Sequence, residues 1–96
     1  MIVNQKNTPN GTILIITDSN LVGKIFEEGK KQLDLTKEFY QGEEKNVEEI
    51  KQLLNDAYVL HLTGKEAVAF GKELDLVDKV ITIKDIPHAE VLLVAE

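Results

Sequence analysis

Thr12-Ile13-Leu14-Ile15-Ile16-Thr17-Asp18 is the stretch whose reading decides the fold. Its four central residues are apolar, and most of the run is β-branched. Such side chains lose little on a pleated surface and pack poorly in a helix. Both faces of the run are apolar, which predicts a central strand covered on both sides. Just before it, Asn7-Thr8-Pro9-Asn10-Gly11 is a dense turn signal. Proline presets one backbone angle, and Asn-Gly tolerates positive φ. Ile2 to Lys6 then reads as the partner strand of an N-terminal hairpin.

Beyond Thr17 the period changes. Asp18 is placed to start a helix, and Leu21, Val22, Ile25, Phe26 and Gly29 fall at helical spacing. Lys24 and Glu28 would pair on the opposite face, and Gly29-Lys30-Lys31 would end the helix. Leu33-Asp34-Leu35-Thr36 alternates like a short edge strand. Phe39-Tyr40-Gln41-Gly42 reads as an aromatic turn and Glu43-Glu44-Lys45 as a solvated loop.

A second helix is predicted from Asn46, with Val47, Ile50, Leu53 and Leu54 on one side and Asn46 and Glu49 at capping-box spacing. Ala57 to Leu62 reads as a strand. Thr63 is the expected N-cap of a third helix carrying Ala67, Phe70 and Leu74. Val80 to Ile83 is a strand, Asp85-Ile86-Pro87-His88 a bend, and Ala89 to Val94 the last strand. This order predicts a single α+β domain over residues 1–96. It would be a two-layer sandwich, about three helices on a mixed sheet, with N- and C-terminal β-hairpins.

Composition narrows the function classes. Eleven basic residues against seventeen acidic give a net charge of −6, and every basic residue is lysine. An acidic domain without arginine is poorly suited to independent binding of duplex DNA, whose affinity comes from neutralising phosphates. The absence of cysteine excludes disulfides and thiolate metal sites within the chain. No apolar run is long enough to cross a membrane, and Met-Ile-Val-Asn-Gln-Lys is unlike a signal peptide, so a cytoplasmic location is expected.

Four groups of residues, in order, carry a resemblance. They are Asp18 with Leu21-Val22-Gly23-Lys24, then Phe39-Tyr40-Gln41-Gly42, then Gly64, then Ile86-Pro87-His88-Ala89. The series resembles the archaeal family called domain of unknown function 424, over roughly residues 12 to 92. That family typically reads Cys-Asp-x-x-Leu-Leu-Gly-Lys, Phe-Tyr-x-Gly, Asn-x-x-Gly and Val-Pro-His-Ala. Thr17 stands at the cysteine position and His61 at the asparagine. The resemblance implies an archaeal source and a two-layer α+β fold, and no activity.

Candidate chemistry is sparse. Gly23-Lys24 and Gly64-Lys65 lack the first glycine and the hydroxyl of a phosphate loop. Asp18 is a helix cap or, with His88, an acid–base or metal-binding pair. Phe39 and Tyr40 are a core plug or an exposed stacking pair. His61 reads as a satisfied strand residue. Asp18, Lys24, Phe39, Tyr40, Gly42 and His88 are the expected functional patch. The leading expectation is a non-enzymatic cytoplasmic interaction module without a cofactor. It would serve as accessory to a larger protein or RNA–protein assembly such as the translation machinery. The alternatives are a small-molecule or metal-binding enzyme using Asp18 and His88, and a homodimer pairing through the last strand.

Overall fold

The computed structural model describes residues 1–93. Strand β1 (Ile2–Thr8) turns at Pro9-Asn10 into β2 (Gly11–Thr17), and the two pair antiparallel along their whole length. β2 lies parallel to β6 (Ala57–Thr63), which is antiparallel to β8 (Ile86–Leu92). The short strands β7 (Ile81–Ile83) and β5 (Glu43–Glu44) close the two edges, giving the order β5-β1-β2-β6-β8-β7. The sheet is mixed, and both expected terminal hairpins are present.

Alternation along the strands sorts the side chains onto two faces. Leu14, Ile16, Leu60 and Leu62 point to one face and are fully buried there. They pack against Ile50 of helix α1 (Val47–Leu53) and Ala67, Val68 and Phe70 of helix α2 (Lys65–Glu73). Helix α1 starts with the predicted capping box: the Asn46 side chain accepts from Glu49 N, and the Glu49 carboxylate accepts from Asn46 N.

The described residues contain two α-helices, not about three. The helix expected from Asp18 to Gly29 is instead a turn followed by the hairpin β3 (Ile25–Glu28)–β4 (Lys31–Asp34). Gly23 and Gly29 adopt φ of +92° and +61°, conformations that no right-handed helix contains. Leu33 and Leu35 decide the outcome. They are buried with Leu21 and Ile83 in a second, smaller core, and β3 pairs alongside to complete it.

Three further expectations are corrected. Glu43-Glu44, read as loop, pairs with Val3 and Ile2 at the edge of β1. Thr63 ends β6 and is not an N-cap; Gly64 holds the cap position of α2. The bend expected at Asp85 to His88 comes earlier, at Lys84 and Asp85, both at positive φ as a tight hairpin turn requires. Pro87 and His88 lie within β8. Pro87 is tolerated because its ring nitrogen faces the end of β6, where no ladder bond is needed. Val94, the expected end of the last strand, lies outside the described residues. No helix among the described residues is long and apolar enough to cross a membrane.

Candidate functional site

The second face of the sheet carries no α-helix and holds most of the polar chemistry. Thr17, His61, Thr63, His88 and Glu90 all point to it, as strand alternation and register require. A 3₁₀ turn at Glu38–Tyr40 lies across its middle, anchored by Asn4 Nδ2 donating to the Phe39 carbonyl at 3.0 Å. The Phe39 ring stands edge-on to His61, with centroids 5.2 Å apart, and edge-on to Tyr40 at 5.1 Å. Lys6 Nζ sits 5.6 Å from the centre of the Phe39 ring.

The two histidines are neighbours, their ring centroids 6.2 Å apart. His88 Nδ1 shares a 2.8 Å hydrogen bond with Thr63 Oγ1, and His61 Nδ1 lies 3.8 Å from Glu90 Oε2. Burial holds both imidazoles below their ordinary value of 6.5. The His61 charge lowers His88 further, while Glu90 pulls both back up. The Thr17 hydroxyl, fully buried beside Thr63, has no hydrogen-bond partner among the described residues.

A pH dependence follows. A histidine whose folded value is lowered binds its proton more readily in the unfolded chain. Stability is therefore full above pH 6.5 and falls as pH drops below it, until the folded-state values are passed. Urea unfolding at pH 7.5 and 5.5 should show the lower stability at 5.5. His61→Asn should raise the imidazole midpoint of His88, read by NMR. An unmoved midpoint would show that the rings are not coupled.

Beyond the histidines the sheet is open. Ile81 and Leu92 are 53% and 69% exposed, and a cleft of about 340 Å³ is lined by Lys79, Ile81, His88, Ala89 and Glu90. The backbone here has a defined direction. Pro87 O accepts from Gly64 N, and Leu93 N donates to Tyr58 O, so the odd-numbered positions of β8 turn their polar groups toward β6. The even-numbered ones face outward. Ile86 and His88 meet β7 there, but β7 stops opposite His88. The N–H and C=O groups of Glu90 and Leu92 are left pointing away from the sheet, with no backbone partner among the described residues.

The expected patch divides. Phe39 and His88 come together through His61. Tyr40 turns partly into the smaller core, where burial and then Asp34 raise its phenol. Gly42 lies against β1, where any Cβ would overlap the Val3 carbonyl, which accounts for it structurally. The Lys24 side chain is exposed at the base of the β3–β4 hairpin, its backbone bonded to Leu21 and Leu35.

Asp18 goes to the other face. Its Oδ2 accepts from Glu66 N at 3.0 Å and its Oδ1 from Ala67 N at 2.8 Å, capping α2 from 48 residues away. The structure therefore does not join Asp18 to His88. Among the described residues no cluster of three or more histidine, aspartate or glutamate side chains could hold a metal ion. The sequence reads His61 as a satisfied strand residue and Thr63 as a helix cap, and assigns Glu90 no role, so none of the three is expected at the site. Their signal is the spacing of two in His61-Leu62-Thr63 and His88-Ala89-Glu90, which places each pair on one strand face.

A mixed six-stranded sheet with two helices on one face and a histidine–aromatic cluster on the other defines an α+β domain of a shape already seen in a crystal structure. The chain resembles an uncharacterized conserved protein from Methanopyrus kandleri, with a TM-score of 0.82 and 15% identity over 99% of this chain and 92% of that one. That likeness concerns the fold, and its source is archaeal, as the sequence resemblance implies. The chain belongs to the family described as Protein of unknown function (DUF424), which matches residues 6–94. No curated protein matches it.

Proposed function

We propose that this protein is a non-enzymatic interaction module that takes an extended segment of a partner protein onto the open end of β8. It would do so as a cytoplasmic accessory of a larger protein or RNA–protein assembly, such as the translation machinery. The observation that carries this reading is the pair of residues Glu90 and Leu92, whose backbone groups face outward past the end of β7. Open edge groups are a template for an added strand, with main-chain bonds giving affinity and alternate side chains giving selectivity. Here the incoming strand would continue the line of β7, flanked by exposed Ile81 and Leu92 and by the cleft at His88. A protein segment fits better than RNA, because the chain carries a charge of −6 and no arginine. The enzyme reading loses its pair, since both Asp18 oxygens are occupied by α2.

Glu90→Pro tests the reading. It removes an N–H that faces away from β6, so the fold should survive, as a melting curve would show. A photo-crosslinker introduced at Leu92 should attach to a protein in the native host's extract. Glu90→Pro and Ile81→Lys should each reduce that crosslink about tenfold or more. A crosslink indifferent to both variants, or one abolished by ribonuclease, would overturn the proposal. Light scattering supplies the remaining arm: a dimer that Glu90→Pro splits would replace the foreign partner with a second copy of this chain.

A further inference from the structure

We infer a second docking site, in the groove between α1 and α2, for a helical segment of a partner protein carrying two basic residues seven positions apart with an apolar residue between them. The groove encloses about 530 Å³ and shares no lining residue with the β8 cleft, so this site stands or falls independently of the edge-strand reading.

One wall is a single face of α2. Glu66, Ala69, Phe70 and Glu73 all line the groove, and their spacing of i, i+3, i+4 and i+7 places them on one stripe. The facing wall is the start of α1, where Val47 is 40% exposed. The groove is therefore apolar along its middle, where Val47 and Ala69 are exposed over the buried edge of Phe70, with a carboxylate at each end. Seven residues of helix rise about 10 Å, and that is the separation of the two charges along the axis.

Glu66, in the first turn of α2, meets the favourable end of the helix dipole, but no cation of the described fold neutralises either charge. Neither the Glu66 nor the Glu73 side chain makes an ion pair among the described residues. Two cations line the opposite wall, and each is paired with a carboxylate there: Lys45 Nζ lies 3.5 Å from Glu43, and the Met1 ammonium pairs with Glu44. Glu73 also stands in the last turn of α2, where the negative end of the helix dipole disfavours a carboxylate. Its position is unfavourable for folding and suited to receiving a cation from outside.

Charge complementarity and spacing together name the occupant. Lysine or arginine side chains would lay their aliphatic stems over Val47 and Ala69 and reach the carboxylates with their heads. On a helix, basic residues at i and i+7 share one face, and the apolar residue at i+3 or i+4 falls between them. An extended segment covering the same 10 Å would need i and i+3, which point to opposite sides. The net charge of −6 adds long-range attraction for such a partner.

The test is a titration of the ¹⁵N-labelled protein with a synthetic helical peptide bearing lysine at i and i+7 and leucine at i+3 and i+4. A second peptide of the same composition has its lysines moved out of register. The expected result is saturable shifts confined to the amides of residues 45–47 and 66–73. Affinity should fall tenfold or more for the shifted peptide and for the Glu66→Gln/Glu73→Gln double variant. Equal binding of both peptides, shifts spread over the whole surface, or no saturation at about 1 mM would overturn the proposal. Thermal melting gives an independent check: Glu73→Gln should leave the midpoint unchanged or raise it. A clear fall would show that Glu73 serves the fold after all.

Discussion

Gly64→Ala is expected to cost about 4–5 kcal/mol, most of the stability of a domain this size. Two penalties combine. Gly64 sits at φ +108° and ψ 163°, a region closed to residues with a Cβ, which accounts for about 1–3 kcal/mol. The added methyl would also overlap the Asp18 carboxyl group. That carboxylate cannot retreat without releasing Glu66 N and Ala67 N, and it is only 5% exposed. Bonds to a charged acceptor contribute about 1.5–3 kcal/mol each in such settings, and an empty N-cap costs about 1 kcal/mol. Asp18→Ala alone should therefore cost about 3 kcal/mol. The double variant separates the two penalties. Once the carboxylate is gone the methyl has space, and only the backbone strain remains, so the combined cost should fall below the sum by 1 kcal/mol or more. Urea denaturation of the three variants measures it. Strict additivity would show that Asp18 and Gly64 do not act as one cap.

The Asp18–Gly64 pair also shows where sequence reading stops. Asp18 reads correctly as a helix-capping residue, because a short acidic side chain after a strand suits that role. Sequence spacing, however, only proposes the helix that follows. The strand end delivers Asp18 to the N-terminus of a helix 48 residues on, and only the parallel pairing of β2 with β6 brings the two together. Local signals did well where the chemistry is local. The apolar run of β2, the capping box at Asn46 and Glu49, and the turn at Pro9-Asn10 all appear as read. They failed over residues 18–29, where Leu21, Val22, Ile25 and Phe26 match a helical period by count. Gly23 falls inside the expected helix and Gly29 at its expected end, whereas both are turn residues at positive φ. The candidate site was half legible for a related reason. Phe39 and His88 were visible as residue types, but their meeting through His61 depends on strand register, which no single sequence states.

The two proposed docking sites lie on different parts of one rigid framework. The β8 edge belongs to the sheet, and the groove belongs to the helical layer packed on its other face. A small domain with one strand-accepting edge and one helix-accepting groove can hold two partners at a fixed geometry. The proposed accessory role would draw on both sites at once.

Leu35→Ala should separate the hairpin from that framework. Leu35 is fully buried in the smaller core with Leu21, Leu33 and Ile83, and its backbone bonds to Gly23 and Lys24 hold the base of β3 and β4. Removing a buried leucine side chain costs about 2–5 kcal/mol. The loss here need not pass to the whole protein. The larger core, from Leu14 and Leu62 to Ile50 and Val68, shares none of these buried side chains. The hairpin reaches the main sheet chiefly through Ile83, Ile86 and the bond from Lys84 N to the Glu28 carboxylate. Hydrogen exchange should therefore show residues 25–34 losing protection a hundredfold or more, since about 3 kcal/mol of local stability corresponds to that factor. Amides of β2 and β6 should stay protected to nearly the wild-type degree. Leu62→Ala makes the contrast, because it opens a cavity in the larger core and should lower protection everywhere. If Leu35→Ala instead unfolds β2 and β6 along with the hairpin, the two cores are one cooperative unit. The fold would then be a single sandwich rather than a sheet domain with a hairpin docked on it.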